Sequence, residues 1–305
     1  MNIWCYAYMG RSKFKRIIKM LRFLQIGFFL LGCLAMAAQA NARGLWLWDQ
    51  TFATDPAQMQ VFFNFASSKK IGVIYFECEA LVQKNQPALR DFVVAAKARS
   101  MEVDFLFGDP SWALTANHSI ATNLAKAAAA YNKAYPAARP RGVHYDVEPY
   151  SLREWKTQES SVANQYLDLI EKLKAIATPA SLQLTMDIPF WFDGESITRS
   201  GPKRPLNQLV QDRVDRVVLM DYRDTADLII QFAAAEIAYG DQIKKKVAIG
   251  VETQCEQQPA YISFCDKGNA AMEAALATVQ SRFASHPAYD GISIHHYGSY
   301  LTLKP

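Results

Sequence analysis

Apolar residues are concentrated in eight short runs, spaced at fairly regular intervals between residue 44 and residue 297. Each run has the length of one buried strand, and the stretches between the runs show the apolar spacing of amphipathic helices. Near-continuous apolar strands separated by helices are typical of a parallel sheet covered by helices. The predicted strands are Gly44–Asp49, Ile71–Glu77, Glu102–Phe107, Gly142–Glu148, Gln183–Pro189, Arg216–Tyr222, Lys246–Glu252 and Gly291–Tyr297.

Helical segments separate these runs, including Ser119–Tyr135, Val162–Ile176, Ala226–Tyr239 and Asn269–His286. Eight strand-helix repeats in about 250 residues match the size of a (β/α)8 TIM barrel. A doubly wound open sheet is the alternative, but no Gly-rich phosphate loop follows the first run. We therefore predict an α/β fold with one TIM-barrel domain over residues 43–305.

Residues 1–42 differ from the rest of the chain, with six Lys or Arg, no Asp or Glu, and a long apolar run. This order, with the small-x-small sequence Ala40-Asn41-Ala42 at its end, predicts a secretory signal peptide. Met20 is an alternative start, because the basic segment before it is unusually long. A signal anchor is an alternative because Leu21–Ala38 approaches the minimum spanning length of about 17 residues. A lipoprotein is another, because Leu30-Leu31-Gly32-Cys33 resembles a lipobox. We predict a secreted or periplasmic protein with no stable membrane span after processing.

The basic character of the chain belongs to that leader. Of the 33 Lys and Arg, six lie in residues 1–42, which leaves 27 against 29 Asp and Glu and a formal charge of −2. Nucleic acid is therefore not an expected partner, because nucleic-acid binding relies on a basic surface. Cys255 and Cys265 are ten residues apart and are predicted to form a disulfide in an oxidising compartment. Cys78 lies in an apolar run and is expected to be a buried free thiol.

The fourth run is the most informative segment, because polar residues occupy every second position in it. Side chains alternate between the two faces of a strand, so His144, Asp146 and Glu148 share one face. Three unpartnered ionisable groups are too costly for an ordinary core. We predict that they line a polar cleft in which Glu148 donates a proton and a negative charge on Asp146 favours its protonated form. A structural salt-bridged pair is the alternative.

Carboxylates and aromatic residues also gather at the ends of the other runs, whereas the starts are mainly small, basic or turn residues. In TIM barrels the catalytic groups lie at the carboxyl ends of the strands. Indole rings can stack on the apolar faces of sugars, and glycosidic cleavage needs a carboxylic acid and a second stabilising group. We predict a carbohydrate-binding rim, with residues 193–205 as a lid. Its candidate substrate-binding residues are Trp48, Asp49, Glu77, Trp112, His144, Asp187, Trp191, His295 and Tyr297.

The fourth run resembles the matching strand of the chitinase-like family 18 glycoside hydrolases, which ends in Asp-x-x-Asp-x-Asp-x-Glu. The last two acids of that motif match Asp146 and Glu148, whereas Arg141 and His144 replace the first two. The resemblance covers the order of the barrel elements and fragments of the motif.

The sixth run, Leu219-Met220-Asp221-Tyr222, is similar to the Met-x-Tyr-Asp signature of the same family, with Tyr222 matched and Arg223 in place of the Asp. The resemblance implies substrate-assisted hydrolysis. In that mechanism Asp146 would orient the N-acetyl oxygen of the sugar as the nucleophile, and Tyr222 would hold it.

A second resemblance implies a different mechanism. Glu148-Pro149 and Val251-Glu252-Thr253 are similar to the clan of retaining barrel glycosidases that carry an acid/base and a nucleophilic glutamate on those two strands. Val147 stands where that clan has Asn. Glu252 would then attack the anomeric carbon, and Tyr222 would orient Glu252. The carboxyl groups of Glu252 and Glu148 would be about 5 to 5.5 Å apart. A structural acid is the alternative role for Glu252.

Three histidines near these carboxylates also raise the question of a zinc site. The first run has no His-x-His, and His-x-x-x-His does not occur in the chain. We therefore expect no metal and no cofactor. Adjacent residues point to opposite faces, so one of His295 and His296 should contact substrate or Asp146 while the other faces the helices.

The sequence thus predicts an exported, monomeric glycoside hydrolase acting on a cell-envelope or extracellular polysaccharide, with carbohydrate as its partner. A sugar-binding barrel without catalytic activity is the first alternative, because two of the four motif acids are replaced. A metal-dependent hydrolase is the second alternative.

Overall fold

Eight parallel strands close into a barrel in the computed structural model, which describes residues 43–255 and 259–305. The barrel strands are β1 (Arg43–Leu47), β2 (Ile71–Glu77), β3 (Glu102–Phe107), β4 (Gly142–Tyr145), β5 (Gln183–Pro189), β8 (Arg216–Met220), β9 (Lys246–Glu252) and β10 (Tyr289–His295). They follow one another around the barrel in this order, and β10 pairs with β1. Two short strands, β6 (Ser196–Thr198) and β7 (Lys203–Pro205), form a separate antiparallel hairpin.

The TIM-barrel prediction is confirmed, and the eight predicted runs correspond to the eight barrel strands. The helices of the described residues are α1 (Thr51–Thr54), α2 (Pro56–Ser68), α3 (Glu79–Lys84), α4 (Gln86–Lys97), α5 (His118–Ala134), α6 (Trp155–Ala177), α7 (Leu206–Gln211), α8 (Ala226–Ile243), α9 (Gly268–Phe283) and α10 (Tyr297–Thr302). The predicted signal peptide, residues 1–42, lies outside the described residues. Within the described residues, no helix has both the length and the apolarity needed to cross a bilayer.

Strand alternation divides the core into two parts. Outward side chains such as Val143 and Tyr145 are buried against the helices, and the Tyr145 hydroxyl donates to the carbonyl of Ala121 on α5. Inward side chains such as Trp46 and Tyr75 fill the barrel itself. Each large apolar side chain buried in this way contributes about 1.5 to 3 kcal/mol to folding. The strand pattern therefore decides which polar residues enter the barrel.

Two buried ion pairs close the end of the barrel where the strands begin. Asp104 accepts two hydrogen bonds from the Arg141 guanidinium. Arg216 lies 2.6 Å from Asp290, and its guanidinium carbon is 5.5 Å from the centre of the Tyr75 ring. Arg141, which aligns with the first acid of the family motif, therefore lies at the end of the barrel opposite Glu148.

The hairpin formed by β6 and β7 lies along the flank of a helix. Arg199 in its turn donates to Asp168 at 2.7 Å, to Glu171 at 3.0 Å and to the carbonyl of Asn164 at 3.0 Å, all on α6. These charge-assisted bonds fix the turn of the hairpin to α6, and the role of residues 193–205 as a lid stays a prediction.

Candidate active site

Asp146 and Glu148 follow directly after β4, and His144 is the second-last residue of that strand. The amide of Asp146 continues the parallel ladder by donating to the carbonyl of Phe107 at 2.9 Å. Gly108 allows this approach, since a Cβ there would overlap the carbonyl oxygen of Asp146. Pro149 then begins a short 3-10 turn, Pro149–Ser151, directly after Glu148. Asp146 and Glu148 therefore lie in the short segment between the end of β4 and this turn.

Glu148 is half-buried and held by its own neighbours in the chain. The Tyr150 hydroxyl donates to Glu148 Oε1 at 2.6 Å, and the Ser151 hydroxyl donates to Oε2 at 3.2 Å. The Tyr150 ring meets Trp191 edge to face, with centroids 5.0 Å apart. The structure therefore brings Trp191 close to the predicted proton donor. Sequence reasoning missed Tyr150, although it lies two residues after Glu148.

Asp146 is the carboxyl whose pKa is raised well above its ordinary value. Burial is the largest cause, followed by the negative charges of Asp187 and Glu148. Its Oδ1 atom is buried and has no hydrogen-bond partner among the described residues. The sequence prediction placed a negative charge on Asp146, whereas burial of its carboxyl group and the negative charges nearby favour its protonated form.

A buried pair lies beneath these acids. His144 Nε2 is 2.7 Å from Asp187 Oδ1, and the Trp46 indole donates to Asp187 Oδ2 at 3.2 Å. His144 is fully buried and Asp187 is 2% exposed. We predicted both as substrate contacts, but burial leaves neither accessible to a sugar. No role was predicted for Trp46, which donates to Asp187, because its position on β1 suits a core residue as well as a sugar-binding one.

Glu252, at the end of β9, is held by three donors. The backbone amides of Thr253 and Gln254 both donate to Oε1 at 2.7 Å. His295 Nδ1 lies 2.9 Å from Oε2, and the Trp48 indole donates to the other nitrogen of the same ring at 3.2 Å. His295 therefore contacts Glu252 rather than Asp146. Its neighbour His296 accepts from the amide of Gly298 at the start of α10.

Tyr222 follows β8 and lies near both the Glu252–His295 pair and the acids Asp146 and Asp187. Its ring centroid is 5.9 Å from that of His295. Burial raises the pKa of its phenol well above the ordinary value, and the negative charges of Glu252, Asp146 and Asp187 add to the effect. Tyr222 thus remains a hydrogen-bond donor, near acids from three strand ends.

The remaining predicted rim residues divide between the surface and the core. Glu77 is half-buried and accepts from Gln50 at 2.5 Å, and burial raises its pKa. Asp49 is exposed and accepts from the amide of Thr51 at 2.8 Å.

Trp112 and Tyr297 are not part of the rim surface. Trp112 is 4% exposed and contacts Tyr145, while Tyr297 is 6% exposed and meets the ring of Phe62 edge to face, 5.1 Å away. The structure places both between the strands and the helices. The predicted roles of these two residues in substrate binding are therefore corrected, because their side chains point outward from the barrel.

A disulfide braces the loop beside Tyr222. Cys255 and Cys265 are bonded, with Cα atoms 4.9 Å apart, and Cys78 is a buried free thiol whose pKa is raised by burial. In the same loop, the carbonyl of Tyr261 accepts from the amide of Asp224 at 3.0 Å. The disulfide loop thus contacts the segment that follows Tyr222.

Within residues 43–255 and 259–305, no group of three or more His, Cys, Asp or Glu side chains has a geometry suited to a metal ion. Of the three histidines near the predicted site, His144 and His295 lie next to carboxylates, and His296 accepts from a backbone amide.

No protein-family model matches this chain, and no curated protein sequence matches it. Its fold is similar to that of a family 18 chitinase from Pseudoalteromonas aurantia, with a TM-score of 0.57, 10% identity, and coverage of 85% of this chain and 95% of that one. A chitinase from Bacteroides thetaiotaomicron gives a TM-score of 0.51 at 14% identity, covering 85% of this chain and 90% of that chain. The PgaB (BpsB) glycoside hydrolase domain from Bordetella bronchiseptica gives 0.51 at 9% identity, covering 86% and 95%. At these identities the similarity establishes the fold alone.

Proposed function

We propose that this protein is an exported glycoside hydrolase that cleaves an N-acetylated polysaccharide of the cell envelope or the extracellular medium. The observation that carries the proposal is the arrangement of Asp146, Glu148 and Tyr222 at the carboxyl end of the barrel. There, burial and neighbouring charge keep a proton on Asp146, next to a carboxyl group that is partly exposed. The chitinase-like barrels with the same fold support this choice of reaction.

Glu148 acts as the general acid. It donates its proton to the leaving glycosidic oxygen while the carbonyl oxygen of the substrate's own N-acetyl group attacks the anomeric carbon. The bond to the leaving group breaks and a cyclic oxazolinium ion forms. Glu148, now a carboxylate, takes a proton from water, which opens the ring and restores the N-acetyl group. Two displacements at one carbon give a product with retained configuration.

Asp146 and Tyr222 hold the nucleophilic acetamido group. A protonated Asp146 and the Tyr222 phenol are neutral donors, so both can bind the amide as its carbonyl oxygen approaches the anomeric carbon. Their raised pKa values preserve these donors near neutral pH. Orientation of this kind supplies much of the rate enhancement in an intramolecular attack.

The hydrogen bonds of Glu252 argue against a role for it as nucleophile. Its carboxylate is 2% exposed and accepts from two backbone amides, and its second oxygen lies 2.9 Å from His295. Attack on a sugar would break these bonds and uncover the group. Glu252 instead orients His295, which accepts a hydrogen bond from the Trp48 indole.

The test compares wild-type protein on chito-oligosaccharides, their deacetylated counterparts and cello-oligosaccharides. We expect cleavage of the N-acetylated series alone, with the β anomer retained in the first product seen by NMR. Glu148→Gln should lower kcat by about 10²- to 10⁴-fold while oligosaccharide binding is kept. Glu154→Gln is the matched control, since Glu154 is an exposed glutamate in the same loop, and its activity should equal that of wild type.

Other results would select an alternative. Binding of N-acetylated glycans without cleavage by the wild type would support a sugar-binding barrel. Equal cleavage of deacetylated glycans would exclude substrate assistance. Loss of activity on chelation, restored by added zinc, would support a metal-dependent hydrolase. Export is tested separately, by N-terminal sequencing of the protein recovered outside the cytoplasm.

A further inference from the structure

The buried pair of His144 and Asp187 has no direct role in the proposed reaction. Both side chains lie inside the barrel among apolar and aromatic residues, and the Tyr75 ring meets the His144 ring edge to face at 4.5 Å. No substrate atom can reach either residue at exposures of 0% and 2%. Any effect of this pair on hydrolysis must therefore pass through another side chain.

Burying such a pair is costly, since removing ionisable groups from water costs several kcal/mol per charge. An apolar pair of similar volume would fill this space at least as well. Both oxygens of Asp187 have a partner, His144 at 2.7 Å and Trp46 at 3.2 Å, an arrangement that suits an ionised carboxylate. The fold thus fixes a carboxylate at one point of the barrel interior.

We propose that Asp187, held by His144 and Trp46, is a positioning residue that keeps the proton on Asp146 before substrate binds. The inference rests on the proposed function and deepens it. His144 stands where the motif of the fourth strand has an acid, and here a negative charge is supplied from β5 instead. Asp187 therefore acts through Asp146 and sets the pH range in which the site is active.

The groups around Asp146 leave few other sources for this effect. They are His144 and Glu148 on the same segment, Tyr150 in the turn, Tyr166 on α6, Asp187 on β5 and Tyr222 after β8. The three tyrosines have raised pKa values and stay neutral. The parallel register of β4 and β5 pairs Tyr145 with Met186, so the next residues, Asp146 and Asp187, lie side by side at the ends of neighbouring strands. Of the two acids, Asp187 raises the pKa of Asp146 more than Glu148 does.

The experiment reads the proton on Asp146 directly. Protein labelled with ¹³C at the Asp carboxyl carbons is titrated by NMR, and the Asp146 signal is identified by its absence in Asp146→Asn. In Asp187→Asn the midpoint of that signal should fall by about one pH unit or more, because a like charge has been removed. The alkaline limb of the kcat profile should move to lower pH by the same amount.

Glu236→Gln is the matched control. Glu236 is also a fully buried acid, but it lies on α8 and bonds to Asn207 on α7. This variant should leave the Asp146 midpoint and the kcat profile unchanged.

An unchanged Asp146 midpoint in a folded Asp187→Asn protein would overturn the inference. If that variant does not fold, the wild-type titration decides, since an Asp146 signal already ionised at pH 6 to 7 would also overturn it. The proposed function fails in a different way. A wild type that cleaves no glycan refutes the enzyme, and the Asp146 titration still tests the role of Asp187.

Discussion

The two ends of this barrel treat buried charge in opposite ways. At the end where strands begin, Asp104 is bonded to Arg141, and Arg216 lies 2.6 Å from Asp290. At the end where strands finish, the carboxyl groups bond instead to phenol, indole, imidazole and backbone amides. One barrel therefore contains both carboxylate–guanidinium pairs and acids whose partners are neither Arg nor Lys.

The difference is visible in proton affinity. Burial opposes ionisation of Asp104, but the charge and hydrogen bonds of Arg141 outweigh it, and the pKa of Asp104 is lowered. Asp146 is partly buried, with one carboxyl oxygen inaccessible, and its charged neighbours are acids, so its pKa is raised. The lowered pKa keeps Asp104 ionised at the first end, whereas the raised pKa of Asp146 lets it hold a proton at the second end. Stability and chemistry are thus assigned to opposite ends, as in other TIM barrels.

The largest expected effect comes from breaking the paired end. Arg141→Met leaves Asp104 buried without its partner and should lower the free energy of unfolding by about 3 to 5 kcal/mol. Urea denaturation measures the loss, and kcat of the folded fraction should not change.

Arg90→Met is the control, because Arg90 and Asp91 form an exposed pair. It should cost less than about 1 kcal/mol. A comparable loss in both variants would show that the buried pair contributes nothing special to stability.

The next effect sharpens the chemical end. Tyr222→Phe removes one neutral donor to the acetamido group and should lower kcat about 100-fold, equivalent to about 2.7 kcal/mol. The melting temperature should stay close to that of wild type, since the ring is kept.

Tyr261→Phe provides the comparison, because Tyr261 is 52% exposed in the neighbouring disulfide loop. Its kcat should equal that of wild type. If Tyr222→Phe retained full activity, the substrate-assisted arrangement would lose its second donor.

The smallest effect tests whether burial with a neutral partner is enough to hold a proton outside the site. Burial raises the pKa of Glu236 to about 8 from 4.5, although Asn207 donates a hydrogen bond. The folded pKa lies above the unfolded one, so this contribution to stability is complete below pH 4.5 and is lost as the pH rises through 8. Between pH 6 and pH 7 it should fall by about 1.4 kcal/mol.

The measurement is the difference in unfolding free energy between wild type and Glu236→Gln at each pH. That difference should change with the stated slope, because the glutamine does not titrate. A constant difference from pH 5 to pH 8 would mean that Glu236 is ionised in the folded protein.

The strands and one face of β4 could be predicted because they depend on local periodicity. Alternation alone put His144, Asp146 and Glu148 on one face, and TIM-barrel topology indicated which end they share. Burial could not be predicted in this way. Trp112 and Trp191 both follow strands in the sequence, yet Trp112 is packed against Tyr145 while Trp191 lies beside Tyr150.

The sequence by itself determined the barrel, the end at which the acids gather, and the prominence of Glu148, because each follows from spacing along the chain. Only the tertiary structure decided that Asp146 favours its protonated form and which residues a sugar can reach. Proton affinity depends on burial and on charges from other strands, such as that of Asp187, which the β4–β5 register places beside Asp146. Closure of the barrel sets such registers and brings together residues far apart in the chain.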